Sequence, residues 1–214
     1  MCYTPSTSIN AFFIGLISSF LLYFKSYNSS GPGPSSNPSY LEYKVLALFF
    51  GFVSFMQLFD YIFWTNYQNS TNILFTKIAT IFNHLQPIVL AFILYKTIGL
   101  KSAGLNLTYI YSIVILLYTI NIWKSLKYTE VTPESAPSLD WKWNRGNQAD
   151  IVYILFLLTL IVLLWSNLQN TGKIAAIITL LSFLFFYFKY QIQLSTGRFW
   201  CYFAAFAPLI FLFF

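Results

Sequence analysis

The sequence predicts an all-α fold, a polytopic integral membrane bundle of about seven transmembrane helices, on three observations. Composition is the first: 57% of residues are hydrophobic, 21% are aromatic and 8% are charged, with a mean hydropathy of +0.64, whereas a water-soluble domain carries roughly a quarter of its residues as charges. The second is that seven apolar segments recur along the 214 residues, each close to the roughly 20 residues that a helix needs to cross a bilayer. The third is that polar connections separate these segments without any change of compositional regime, so 1–214 reads as a single transmembrane domain.

The first apolar segment spans 9–24. No Lys or Arg precedes Lys25, so the basic leader of a cleaved signal peptide is missing and the segment reads as a retained span. The stretch YNSSGPGPSSNPSY that follows, 27–40, has the Ser, Gly and Pro content of a flexible loop. Further spans are expected at 45–66, 73–95, 107–123, 151–165, 174–188 and 199–214. Several are short, and flanking Tyr, Trp and Lys are expected to extend them into the interface, where amphipathic rings and snorkelling amines reside. The longest link, 124–150, holds two prolines, Trp141, Trp143 and much of the charge, and is expected to lie over the bundle mouth as a partly ordered lid.

Orientation follows Lys and Arg in the short loops. The loop after the second span has none, whereas later loops carry Lys96 with Lys101, and Lys173. This places the N-terminus outside and the C-terminus in the cytoplasm, although Lys124, Lys127, Lys142 and Arg145 in the long link argue the other way. Sequons occur at Asn28, Asn69 and Asn106; the first two fall on opposite sides, which excludes glycosylation of both. A net charge of +6 is ordinary for a membrane protein, so no nucleic-acid partner is expected; the bilayer is, with an ion, a small solute or a lipid as the further candidates.

The chain has only six acidic residues, yet one stands within the apolar stretch MQLFDYIFW. On a helix Gln57, Asp60, Tyr61 and Trp64 share one face. A carboxylate inside a span costs about 2.5 to 3.5 kcal/mol on the insertion scale, so it faces the bundle interior and finds a partner. Counted from the short loop, Asp60 lies about six residues deep and Lys77 about five, which is nearly one level at a rise of about 1.5 Å per residue. The simplest account is an Asp60–Lys77 ion pair, serving either helix packing or a functional site.

The third span adds Asn83-His84-Leu85-Gln86-Pro87. Proline has no N–H, so the Asn83 carbonyl loses its intrahelical partner and becomes an acceptor at the depth of His84, the only histidine, and Gln86. Imidazole there fits proton relay or substrate orientation, and equally a satisfied core residue. Cys2 and Cys201 fall on one side of a seven-span bundle. Two packing thiols, a disulfide tethering the N-terminus, and a thiolate or metal site all remain open. Two Cys and one His do not close a zinc site by themselves, so no metal is assigned. At the start of the last span, STGRFWC sets Arg198 on the face of Cys201, and Arg198 is expected either to pair with Asp150 at the bundle mouth or to anchor at the interface.

Together, the opening MCYTPSTS, the MQLFDYIFW helix, TKIATIFNHLQP and GRFWC resemble a multi-span membrane family of large DNA viruses and protists. More distantly they resemble bacterial membrane proteins that begin Met-Cys-Phe-Ser and carry a Gln-x-x-Glu-x-x-x-Trp helix, onto which Gln57, Asp60 and Trp64 map with Asp in place of Glu. The resemblance implies a shared seven-helix fold and a shared polar site, and no reaction. Other seven-helix classes fit poorly: the last span lacks the lysine of a retinal protein, and one histidine is too few for a zinc hydrolase of the ceramidase type.

These residues lead to three functional expectations. In the first, Gln57, Asp60, Lys77, His84 and Gln86 line a polar site of a channel, transporter or small-ligand binding protein for an ion, a proton or a small solute. In the second, an intramembrane enzyme acts on a lipid-like substrate with His84 or Asp60 as base and a cysteine as nucleophile. The third is a structural or assembly protein of a viral or cellular membrane. The residues name no cofactor and set no oligomeric state.

Overall fold

The computed structural model describes residues 4–28, 39–66, 69–131, 139–141, 143, 148–189 and 196–213. They form seven helices, α1 (Pro5–Asn28), α2 (Ser39–Thr65), α3 (Ser70–Thr97), α4 (Ser102–Trp123), α5 (Ala149–Asn167), α6 (Asn170–Lys189) and α7 (Thr196–Phe211). The fold is an all-α bundle, as composition and segment count predict. Five helices, α1 to α5, are long and apolar enough to cross a membrane, and the described parts of α6 and α7 are shorter apolar helices; this is consistent with a multi-pass membrane protein.

Each helix outruns its apolar segment at one end or both, because the polar flanks continue the backbone hydrogen bonds. Asn69 starts α3: its side-chain oxygen accepts from the Thr71 N–H at 3.3 Å and from the Ser70 hydroxyl at 3.1 Å, which satisfies one of the donors that every helix start leaves open. Helix α7 stops at Phe211 rather than running to 214. Its terminal carbonyls receive the Lys25 ammonium, 3.0 Å from the Leu212 oxygen, a cation at the negative end of a helix. Gly99, with φ 83°, makes the turn between α3 and α4.

Helix α2 is central, packed against α1, α3, α6 and α7, while α3 bridges α2, α4 and α5. Burial follows this order: 67% of the apolar window of α2 is buried against 28% for α4, whose Ile113, Leu116, Leu117 and Ile120 face outward as a lipid-facing surface requires. Phe82 of α3 fills the α2 seam, stacked on Phe52 and edge-on to Phe59, with centroids 5.2 Å away in each case.

The link after α4 is held to the bundle at several points. Glu130–Val131 (β1) and Leu139–Asp140 (β2) pair antiparallel, Glu130 opposite Asp140. Asn72 of α3 clamps the approach to β1: its amide donates to the Thr129 carbonyl at 3.0 Å and its oxygen accepts the Thr129 N–H at 2.9 Å. Leu139, Trp141 and Trp143 are fully buried, and the two indoles stack at 4.8 Å. The loop at 29–38, Lys142 and Arg145 lie outside the described residues.

Candidate functional site

Asp60 and Gln57 are both fully buried on α2, with Tyr61 and Trp64 half-buried on the same stripe. The Asp60–Lys77 pair does not form. Instead the Trp141 indole N–H donates to Asp60 Oδ1 at 2.9 Å, and the Lys77 ammonium lies 5.3 Å from the centre of the Trp123 ring. Pairing the two ions inside the bundle would desolvate both. Helix α3 turns half-buried Lys77 toward α4, where the face of an indole at the helix end holds the cation without stripping its water.

Trp141→Phe removes the indole–carboxylate bond while keeping an aromatic in the pocket. The expected loss is about 2 kcal/mol, in the range for a hydrogen bond to a charged partner. Detergent-titrated unfolding checks it, with hydrogen exchange rising over 126–131 and 139–141; unchanged exchange there would mean that Asp60 does not hold the link.

His84 sits at the centre of a second cluster. The Thr119 hydroxyl donates to the Ile115 carbonyl at 2.7 Å, so its oxygen is left to accept from His84 Nδ1, also 2.7 Å away. In the neutral imidazole these bonds place the proton on Nδ1 and leave Nε2 as the acceptor. Nε2 faces the Tyr153 hydroxyl of α5 at 3.4 Å, and that oxygen accepts the Asn83 amide at 3.0 Å. Pro87 leaves α3 unbroken; the Tyr111 hydroxyl donates at 2.7 Å to the carbonyl of His84, one residue beyond the carbonyl that the proline deprives.

The two constellations are one network. The Tyr118 ring lies edge-on to His84 and its hydroxyl donates to the Trp143 carbonyl at 2.7 Å; Trp143 stacks on Trp141, which binds Asp60. On the other flank the free Cys201 thiol is buried, within electrostatic reach of both Asp60 and Tyr153 and beside the Gln86 amide. Gln86 is fully buried, and among the described residues neither its oxygen nor its nitrogen makes a well-formed hydrogen bond. The indole N–H groups of Trp64 and Trp143 are likewise buried without an acceptor there. A water or a polar group of a ligand is the ordinary resolution of such atoms.

Beside this network a groove of about 540 Å³ opens between α3 and α4, within the range of small-molecule sites. Its lining is mostly apolar and includes Ile81, Leu85, Leu116 and Ile120, with His84, Ser112 and Thr119 as the polar residues and Trp123, the last residue of α4, at one end. Those four apolar residues are exposed on the bundle's outer face, so the groove opens sideways, toward lipid.

Asp150 stands exposed at the start of α5; the side chain of Arg198, and all of Cys2, lie outside the described residues. Among the described residues no group of three or more His, Cys, Asp and Glu is arranged to hold a metal ion. Sequence reasoning missed Tyr111, Tyr118, Thr119 and Tyr153. The buried face of α4, Tyr111, Ile115, Tyr118 and Ile122, does follow helical spacing in the sequence, and two tyrosines inside a span are themselves a signal, since buried phenols need hydrogen-bond partners.

Comparison of the chain with known protein families, with curated proteins and with solved structures finds no match.

Proposed function

We propose that this multi-pass membrane protein takes a small amphiphilic molecule from the bilayer into the α3–α4 groove and holds it there along a lining that runs from Trp123 past Thr119 and His84. One observation carries the reading: an apolar groove of about 540 Å³ on the outward-facing side of α3 and α4, with His84, Ser112 and Thr119 among its lining residues. Apolar walls with a few convergent polar atoms are the usual form of a small-molecule site. The Nδ1–H of His84 and the hydroxyl hydrogens of Ser112 and Thr119 are already donated within the bundle, so this part of the groove has no free donor for an anion and suits an alkyl chain or a hydroxyl.

The same reading orients the chain with its N-terminus outside and its C-terminus cytoplasmic, which puts Lys96, Lys101 and Lys173 on the cytoplasmic side. The resemblance to viral and bacterial membrane families would then reflect a common bundle built around Gln57, Asp60 and Trp64. A second reading, passage of a proton or a small solute, is favoured by Gln57, Asp60 and Gln86, all fully buried inside the bundle.

The test is native mass spectrometry of the purified protein against Ser112→Phe, which fills the groove. Wild type is expected to retain one amphiphile per chain, and the variant to lose roughly tenfold in occupancy, equivalent to about 1.4 kcal/mol of binding. Equal retention by a folded variant would overturn the proposal.

A further inference from the structure

We infer that the occupant of the α3–α4 groove carries an anionic head, a carboxylate or a phosphate, held by the Lys77 ammonium at the Trp123 end. This rests on the groove reading above. Trp123 lines that end, and Lys77 Nζ stands 5.3 Å from the centre of its ring. Lys77 is half-buried, and among the described residues no acidic side chain pairs with it. An indole face engages only one side of an ammonium, whose three N–H donors leave room for an oxyanion on the other.

The contrast with the buried acids sharpens the point. Glu42 receives two backbone N–H groups and Asp60 an indole N–H, so these carboxylates are already engaged elsewhere, while Lys77 stands one helical turn before Ile81 on α3 and against the indole that lines the groove's end. Exposed Lys124 follows Trp123 directly and adds positive charge at the same helix end. Deeper in, His84 and Thr119 offer neutral groups only. Selection for charge therefore falls to Lys77, and selection for an alkyl chain to Ile81, Leu85, Leu116 and Ile120.

Equilibrium binding of tritiated hexadecanoate and hexadecyl phosphate, with hexadecanol as the neutral control, tests this at pH 9, where the heads of both acids are ionised. Wild type is expected to prefer the two anions over the alcohol by roughly tenfold, the scale of one charge-assisted hydrogen bond. Lys77→Gln should erase that preference while still binding hexadecanol, which also reports that the variant is folded, and Lys77→Arg should keep it. A preference for only one anion would identify the head as carboxylate or phosphate and would still support the assignment. Equal binding of all three probes by wild type, or a preference that survives Lys77→Gln, would overturn the anionic head and leave the groove standing. Failure of every probe to bind, or binding indifferent to Ser112→Phe, would overturn the groove and the head with it.

Discussion

Gly15→Leu is expected to cost about 3 kcal/mol or more, at or above the top of the usual range for overpacking, and to leave little assembled protein. The position is the closest approach of three helices. A Cβ placed on Gly15 of α1 would stand 2.7 Å from the backbone carbonyl of Ala205 in α7 and would collide with the Ser54 hydroxyl of α2. A backbone oxygen has no rotamer to escape into, and Ser54 is already committed at 2.8 Å to the Phe50 carbonyl. Close packing through small residues is what drives association in a solvent as apolar as the helices themselves. Gly51→Ala is the internal control: its Cβ would meet only Ser19 atoms at 3.4 and 3.5 Å, ordinary contact, so the change should be neutral or stabilising by about 1 kcal/mol through helix propensity. Unfolding in mixed micelles separates the two; equal behaviour would show that α1 is free to move off α2 and α7.

Glu42→Ala is expected to destabilise by about 3 kcal/mol, since it strips two charge-assisted hydrogen bonds and leaves backbone donors unsatisfied. Glu42 is 4% exposed near the start of α2. One carboxylate oxygen accepts the Gln169 N–H at 2.6 Å and the other accepts the Gly172 N–H at 3.0 Å. A residue of one helix thus caps the start of another, where open N–H groups and the helix dipole favour negative charge. Glu42→Gln should fall between wild type and alanine, because its amide offers one acceptor oxygen for the two donors. Hydrogen exchange at Gln169 and Gly172, read alongside the thermal midpoint, checks both; exchange unchanged in the alanine variant would show that water replaces the cap without cost.

The candidate site was legible in its parts and not in its assembly. Asp60, Gln57, His84 and Gln86 stand out in the sequence because polar side chains are expensive inside an apolar span, and all four are buried. Their partners are less conspicuous: Trp141 comes from a link 81 positions away from Asp60, and Thr119 and Tyr153 are unremarkable residues of other spans. Glu42 lies before the span expected at 45–66, and only the fold turns it inward onto the start of α6.

The sequence by itself determined the class of the fold, the number of helices found among the described residues and the spacing of the polar residues along each span, since hydropathy and a fixed rise per residue are properties read along one dimension. Which faces meet was decided only in the tertiary structure. The stripe of Gln57, Asp60, Tyr61 and Trp64 marks an inward face, but nothing in the linear pattern says which neighbouring helix or link Asp60 or Lys77 must meet. The Gly15–Ser54–Ala205 approach and the seating of Phe82 between Phe52 and Phe59 belong to the interhelical packing in which those meetings are settled. That packing sets Asp60 on Trp141, Lys77 on Trp123 and a groove between α3 and α4, because close packing admits few arrangements of these side chains and the linear pattern does not rank them.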